Sequence, residues 1–283
     1  MWRSLMTNLK TGLGLRRDMF QEEDFLSLDT SHVDFLEIAP ENWIGIGGEY
    51  KEKLQYFSKK IPFTLHGLSL SIGSYDELDF KLLKNIKQFI KEYNIKYYTE
   101  HLSFCSNNGH MYDLMPLPFN EETIKHISER IKIVQDFLEL NISLENISYY
   151  YEHKENKLKE YEFINAILEE SNCHMLLDVN NTYVNSVNHK YDPYKFIDNL
   201  NKEKINYIHI AGHLDEDIDL KIDTHGSDII DPVWELLKYT YSNIGVKPTL
   251  LERDFNIPNL KHLMLEINKI KEIQNDSKNT RKF

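Results

Sequence analysis

Short runs of apolar or β-branched residues recur along the chain, and stretches with a helical spacing of apolar residues separate them. Short apolar runs bounded by turn residues are typical of buried strands, and apolar residues three and four apart are typical of amphipathic helices. The predicted strands cover residues 10–16, 33–39, 62–70, 95–104, 141–148, 173–180, 205–212 and 247–254. The predicted helices cover residues 76–93, 120–140, 157–171, 192–201, 231–245 and 259–274.

Eight strands, most of them followed by a helix, favour a closed (β/α)8 barrel of the TIM type. A doubly wound open sheet is the alternative, but the number of repeats and the lack of a glycine-rich phosphate loop favour closure. Asp76 and Asn120 are predicted to cap the first two of these helices. Residues 1–273 are expected to form a single domain, and the polar segment 274–283 is expected to be a disordered tail.

The charge and cysteine content narrow the class of protein. The chain has 283 residues and a formal net charge of −12, which argues against nucleic acid or an anionic membrane as the main partner. Its two cysteines, Cys105 and Cys173, are too few for a disulfide framework. No signal peptide and no apolar stretch of membrane-spanning length are apparent, so a cytoplasmic protein is expected.

Polar or ionisable residues follow the apolar part of nearly every predicted strand. The strand ends and the loops after them carry Glu37, Glu41, Asn42, His66, Glu100, His101, Glu145, Asn146, Asp178, Asn180, Asn181, His209, His213, Asp223, His225 and Glu252. Taken singly, a histidine or glutamate at a strand end is more often a hydrogen-bonded structural group than a ligand. In a closed barrel, however, the carboxyl ends of all strands converge on one small volume, where active sites form.

Several carboxylates buried together need compensating cations, so the convergence predicts a metal site. Histidine, carboxylate and amide ligands suit iron, manganese or zinc, whereas a thiolate site is excluded by the lack of cysteines. More than seven candidate ligands exceed the capacity of one octahedral ion, which indicates two or three ions, with Glu145 or Asp178 able to bridge. A polar cluster with a purely structural role is the alternative.

Motifs in a fixed order give the chain a close resemblance to a known family. They are "GLGLR", "PENW", "HGLSLSIGS", "EHLSF", "LMPLPFN", "LENIS", "LLDVNNTYVN", "HIAGH", "DTHG", "DPVW" and "ERDFNIP", spread over roughly residues 11–260. Together they resemble the multinuclear non-haem iron-dependent oxidases, a family that includes the oxidase of methanobactin biosynthesis. The resemblance implies a barrel of the xylose-isomerase type with two or three iron ions, Fe(II) or Fe(III). It also implies O2-dependent oxidation of a ribosomally synthesised precursor peptide, most often at cysteine, with a separate recognition protein that forms a heterodimer and delivers the peptide.

The same resemblance implies a distribution of ligands. His66, His101 and Glu145 resemble the ligands of one iron, and Glu145 would bridge to a second iron. The remaining ligands of the second iron would be Asp178, His209 and Glu252. A third iron would use Asn181 or His189, with Asp223 and His225. Glu145 and Asp178 would be the catalytic carboxylates, and Asn42, Glu100 and His213 are expected to support the ligands from behind.

Two other functions remain open at this point. A metal-dependent hydrolase or sugar isomerase on the same barrel would use zinc, manganese or magnesium and would not consume O2. A non-catalytic metal-binding scaffold could bind a partner through the acidic loop 213–226 and the tyrosine-rich segment 149–155. Substrate choice is expected to lie in loops 105–119, 149–157 and 213–222.

Overall fold

Eight parallel strands close into a barrel, which confirms the predicted (β/α)8 fold. The computed structural model describes residues 10–21 and 23–280. In chain order the strands are β1 (Thr11–Gly14), β2 (Phe35–Ile38), β3 (Phe63–His66), β4 (Tyr98–His101), β5 (Phe104–Ser106), β6 (His110–Met115), β7 (Ser143–Glu145), β8 (His174–Asp178), β9 (Ile205–Ile210), β10 (Leu214–Asp217), β11 (Leu220–Ile222) and β12 (Thr249–Leu251). The barrel order is β1, β2, β3, β4, β7, β8, β9 and β12, while β5–β6 and β10–β11 form separate hairpins after β4 and β9.

The helices surround the barrel and lie between its strands. They are α1 (Gly48–Ser58), α2 (Phe80–Glu92), α3 (Glu121–Leu138), α4 (Glu160–Ser171), α5 (Val179–Asn188), α6 (Pro193–Asn199), α7 (Asp231–Ile244) and α8 (Leu260–Thr280). Two of them, α1 and α5, were not predicted, because α1 buries only Leu54 and Phe57 and α5 is rich in asparagine, a weak helix former. No helix in the described part of the chain is both long and apolar enough to cross a bilayer.

One of the two predicted helix caps is correct. Asn120 accepts a hydrogen bond from the Thr123 backbone N–H at the start of α3. Asp76 does not cap α2, because that helix begins later and Asp79 accepts the first backbone N–H groups. Asp76 instead accepts the Asn108 backbone N–H at 3.0 Å and so holds the turn of the β5–β6 hairpin.

Helix α8 continues to Thr280 and so covers most of the segment 274–283 that was predicted to be a disordered tail. Gln274 is 2% exposed and ties the end of this helix to the first strand. Its amide donates to the Lys10 carbonyl at 2.8 Å and accepts from the Thr11 hydroxyl at 3.2 Å. A polar residue that the sequence pattern assigns to a tail is therefore part of the core, and residues 281–283 lie outside the described residues.

Alternate residues of the barrel strands point inward and form layers. Phe35, Leu176, Tyr207 and Leu250 form an apolar cluster of their own, separate from the main core between barrel and helices. A methyl group at Gly12 would overlap the Phe35 ring, so β1 must leave this space open. Because strand side chains alternate, the residue two positions further along each strand also points inward, toward the carboxyl end of the barrel.

Candidate metal centre

The inward residues above the apolar layer are acids and imidazoles. Seven strands supply one each: Glu37, His66, His101, Glu145, Asp178, His209 and Glu252. Six of these are buried, and the seventh, His101, is 14% exposed. The structure therefore brings together the six residues predicted for the first two ions and adds Glu37.

Three donor atoms from β3, β4 and β7 point at one place. The Glu145 Oε2 atom lies 3.2 Å from His66 Nε2 and 3.3 Å from His101 Nε2, and the two Nε2 atoms are 3.1 Å apart. Separations near 3 Å are those of neighbouring ligands around one small ion, whose bonds are about 2.0–2.2 Å long. His66, His101 and Glu145 can therefore hold one metal ion.

Hydrogen bonding prepares His66 for this role. The Thr99 hydroxyl donates to the Leu65 carbonyl at 3.2 Å and lies 2.7 Å from His66 Nδ1. The Thr99 oxygen therefore accepts a hydrogen bond from the Nδ1–H group of His66. The unprotonated Nε2 atom then directs its lone pair at Glu145. Such a partner on the far nitrogen is typical of metal-binding histidines.

The buried carboxylate of this group needs a compensating positive charge. Burial lowers the pKa of His101 to about 4, so this imidazole is neutral and able to bind a metal. Burial also acts to lower the pKa of His66, but Glu145 outweighs it and raises that pKa to about 9. Without a cation, a proton on His66 supplies the charge that Glu145 needs.

A second group adjoins the first through Glu145. His209 Nδ1 lies 3.3 Å from Glu145 Oε1 and 2.9 Å from Glu252 Oε2, and Asp178 completes a set whose donor atoms lie within 4.8 Å of one another. Glu145 thus faces the first group with one oxygen and the second with the other. This geometry fits a carboxylate that bridges two ions.

Glu37 orients His209 from the opposite side. Its carboxylate lies 3.1 Å from His209 Nε2 and accepts the Tyr207 hydroxyl at 2.8 Å. With the Nε2 proton directed at Glu37, the Nδ1 atom is free to face Glu145 and Glu252. Sequence reasoning noted Glu37 as a strand-end acid but assigned it no role, because the pairing depends on barrel closure.

Several buried electron-donor atoms of the site have no hydrogen-bond partner. They are Asp178 Oδ2, Asn181 Oδ1, His209 Nδ1 and Glu252 Oε2. Leaving a buried polar atom unsatisfied costs about 1–3 kcal/mol, so such atoms are rare in stable cores. Four of them around one volume, all able to donate electrons, fit the requirements of bound cations.

A third group lies at the rim, where His225 meets two acids on β12 and the segment after it. His225 Nδ1 lies 3.4 Å from Glu252 Oε2 and 3.3 Å from Asp254 Oδ2, and its Nε2 is 2.7 Å from Asp223 Oδ1. His225 has φ 48°, a left-handed conformation that costs energy in a residue other than glycine. This backbone conformation directs the imidazole toward the site.

Asn180 and Ser148 hold Asp223 in place. The Asn180 amide donates to Asp223 at 2.8 Å, and the Ser148 hydroxyl donates at 2.9 Å. Asn181 donates its amide nitrogen to the Asn146 carbonyl at 3.1 Å, which leaves its unpaired Oδ1 available. Asn181, Asp223 and His225 all line the same cavity.

His189 is not brought into the site. It lies at the end of α5, its ring stacks on Tyr149, and its Nε2 is 2.8 Å from the Tyr149 carbonyl, to which it donates. The sequence pattern predicts no helix in residues 181–188, which follow the predicted strand 173–180. Because they form a helix, His189 is carried away from the ligands, and the prediction that it binds a metal is not supported by its position.

The three predicted supporting residues occupy different positions. His213 is buried and its Nδ1 lies 2.7 Å from the Asn180 side chain, so it acts on Asp223 through Asn180. Asn42 is exposed at the rim of the cavity. Glu100 hydrogen-bonds the Tyr98 hydroxyl, and burial, together with Glu41, raises its pKa to about 8.

Asp254 and Arg16 are site residues that the sequence reasoning did not place. Arg16 donates to Glu252 at 3.0 Å and to Asp254, and so satisfies Glu252 Oε1 while Oε2 faces the histidines. Asp254 could have been predicted from strand alternation, because it follows Glu252 by two residues and such side chains point to the same face.

These residues form the floor of an open cavity of about 600 Å³. The rim includes Arg16, Asn42, Cys105, Phe255 and the β6 segment 110–114. The volume is in the range of sites that enclose small molecules or single side chains. A substrate can therefore reach the donor atoms from one side.

Comparison with known proteins identifies the family and the fold. The family model for "RiPP precursor modification enzyme MbnB/TglH/ChrH" matches residues 10–275. A UPF0276 protein of Alcanivorax borkumensis is 52% identical over 92% of this chain and 89% of its own length, and one of Shewanella loihica is 52% identical over 94% and 95%. Among solved structures, an L-ribulose 3-epimerase has a TM-score of 0.62 at 13% identity, covering 97% of both chains. The 3-keto-D-glucoside 4-epimerase of E. coli has a TM-score of 0.61 at 13% identity, covering 94% of this chain and 99% of its own, and both similarities concern the fold alone.

Proposed function

The chain belongs to the MbnB/TglH/ChrH family of enzymes that modify RiPP precursors, peptides made on the ribosome and altered afterwards, and from this premise we propose its chemistry. We propose that it is a multinuclear iron-dependent oxidase that uses O2 to modify cysteine residues of a precursor peptide. The observation that carries the proposal is the set of buried donor atoms without a hydrogen bond on Asp178, Asn181, His209 and Glu252 beneath an open cavity.

The chemistry of the donor set supports iron. The ligands are imidazoles, carboxylates and an amide, with no thiolate among them, which suits Fe and also Mn or Zn. His66, His101 and Glu145 would hold one ion, and Glu145, Asp178, His209 and Glu252 a second. Asn181, Asp223 and His225, with Asp254 next to His225, would hold a third. Iron bound in this way would supply the redox chemistry for O2-dependent oxidation.

The protein's own groups fix the ligands and their charge. Thr99 accepts a hydrogen bond from the Nδ1–H of His66, and Glu37 accepts one from the Nε2–H of His209. The other nitrogen of each imidazole therefore presents a lone pair to the site. Arg16 neutralises part of the charge on Glu252 and Asp254. A cysteine side chain of the precursor would enter the cavity above, while its peptide backbone would stay at the rim.

A separate recognition protein is also part of the proposal, because the family resemblance implies one. It would form a heterodimer with this chain and deliver the precursor. If the isolated chain bound a precursor peptide tightly without a second protein, this part of the proposal would be wrong.

Metal content on anaerobically prepared protein is the first test. Reconstitution with Fe(II), followed by elemental analysis and Mössbauer spectroscopy, should give two or three irons per chain, including a coupled pair. One zinc or manganese ion and no coupled iron would contradict the oxidase and favour the metal-dependent hydrolase or isomerase. O2 uptake with the iron-loaded chain and a cysteine-containing precursor then separates oxidation from hydrolysis.

A further inference from the structure

Strand β6 runs along the wall of the metal-site cavity. Five consecutive residues, 110–114, line the cavity, whereas most other elements contribute one to three. A strand that follows a cavity wall for this length presents its backbone, as well as its side chains, to whatever enters. The wall is therefore suited to a ligand that is itself extended.

One edge of β6 lacks a neighbouring strand. β6 pairs with β5 in a two-stranded sheet, at Phe104 with Met115 and at Ser106 with His110. The pairing with β5 is irregular between these two positions, and no other element in the described ranges hydrogen-bonds to the backbone of residues 111–113. The N–H and C=O groups of such an edge are a template for another strand.

The hairpin on the other side of the barrel is protected at the corresponding place. The Asn188 side chain donates to the Lys221 carbonyl at 2.9 Å and accepts from the Lys221 N–H at 2.8 Å, which covers the edge of β11. One hairpin edge is thus closed by a side chain from α5. The edge next to the metal-site cavity is not closed in this way.

The side chains of β6 are exposed in a manner that the fold does not require. Tyr112 is 97% exposed, and its ring contacts only that of His110, at 4.8 Å between centroids, among the aromatic contacts of the described chain. Met111 and Leu114 are half-buried along the same strand. Exposed aromatic residues beside a cavity are typical of recognition surfaces.

We propose that the edge of β6 binds the precursor peptide as an added β-strand, so that the residue to be modified points into the metal-site cavity. This inference rests on the proposed function, since the family acts on precursor peptides. Main-chain hydrogen bonds provide affinity in this mode, and alternate side chains provide specificity. Every second side chain of the peptide would face the cavity and the others would face solvent.

Hydrogen–deuterium exchange on the metal-loaded full chain tests the proposal. The probe is a synthetic, end-capped peptide of about six residues, the usual length of a strand, with a central cysteine flanked by threonine and valine. At about ten times its Kd, the peptide should slow amide exchange in residues 110–115 by about tenfold. Exchange in helix α8, which contributes no residue to the cavity, should not change. Unchanged exchange at 110–115 with millimolar peptide would overturn the proposal.

Two further measurements separate strand addition from simple side-chain binding. N-methylation of every second backbone nitrogen should abolish binding in one of the two alternating patterns and not in the other, because only one set of N–H groups faces β6. Equal effects of both patterns would refute strand pairing. Tyr112→Ala should weaken binding about fivefold or more, while Tyr194→Ala, at an exposed tyrosine of α6 that does not line the cavity, should not.

The outcomes distinguish this inference from the proposed function. Coupled iron and O2-dependent cysteine oxidation without protection of β6 would leave the oxidase intact and refute the docking edge. Protection of β6 by the peptide in a chain that holds no coupled iron would support the docking edge and refute the oxidase.

Discussion

Unsatisfied oxygen atoms distinguish Asp178 and Glu252 of the metal centre from the buried acid Glu266. Glu266 is 8% exposed and fully paired, since it accepts the Ile229 N–H at 3.0 Å and the Arg253 guanidinium at 2.8 Å. Asp178 is fully buried, and its Oδ2 has no partner. Glu266 is satisfied by protein groups, whereas a bound cation would satisfy Asp178.

His66 and His189 provide a matched pair for testing this difference. Replacing His66 with alanine removes a donor that faces His101 and Glu145, so we expect loss of at least one metal ion per chain. Replacing His189, which donates to the Tyr149 carbonyl, should leave the metal content unchanged. Elemental analysis of both variants after the same reconstitution checks this, and metal loss in His189→Ala would return that residue to the ligand set.

Glu160 is an acid remote from the metal centre whose protonation affects stability. Burial raises its pKa from the ordinary 4.5 to about 8, although the Tyr149 hydroxyl, 3.2 Å away, acts to lower it. The folded chain therefore keeps a proton that the unfolded chain releases near pH 4.5. It follows that the free energy of unfolding should decrease as the pH rises from about 4.5 to about 8.

Glu160→Gln should remove this contribution. We expect the variant to be more stable than the original chain at pH 8 by on the order of 2 kcal/mol, with a smaller difference at pH 5. Glu169→Gln, an exposed position on the same helix, is the control and should show no such trend. Urea unfolding at the two pH values measures it, and equal differences at both would contradict the assignment.

At the scale of elements, the strands were predictable and two helices were not. The eight barrel strands were predicted because each buries both faces and so appears as a continuous apolar run. Helix α5 escaped prediction because its sequence, "VNNTYVNSVN", has no apolar stripe. It forms because Asp178 accepts the Asn181 N–H at 2.6 Å and because asparagines 181 and 185 donate to backbone carbonyls of the neighbouring segment.

The residues of the candidate site can likewise be divided into those on strands, which were predictable, and those whose position depends on other elements. Residues on strands were predictable because alternation and barrel closure decide where they point. His189 could not be placed, because its direction depends on α5. Asp254 could have been found from its spacing to Glu252, and Glu37 only from its contact with His209 across the barrel.

Helix α8 offers a test of how its C-terminal part is attached to the barrel. Gln274 bonds to Lys10, Thr11 and Tyr241, so Gln274→Ala should lower the free energy of unfolding by about 1–3 kcal/mol. Asn268→Ala, exposed on the same helix, should change it by less than about 0.5 kcal/mol. Urea denaturation of both variants gives the values, and equal effects would show that the end of α8 contributes nothing to the core.

At the scale of the whole molecule, the metal centre joins seven of the eight barrel strands. Carboxylates on β2, β7, β8 and immediately after β12 crowd one volume, which opposes barrel closure unless positive charge is present. Metal binding should therefore stabilise the fold as a whole and not only the rim.

Removal of metal should lower the melting temperature in a single transition. A metal at about a thousand times its Kd stabilises the folded state by about 4 kcal/mol per site. Scanning calorimetry of chelator-treated and reconstituted protein measures the change, with His66→Ala expected to regain only part of it. An unchanged melting temperature would mean that the acids are neutralised by protons alone.

The apolar layer of Phe35, Leu176, Tyr207 and Leu250 has a consequence for the order of events. It closes the barrel beneath the ligands, so ions and substrate must share the opening above. In the proposed oxidase, a bound peptide would then block the route by which metal enters or leaves. Iron would have to bind to the enzyme before the peptide does. During turnover the bound substrate would itself prevent the iron from dissociating.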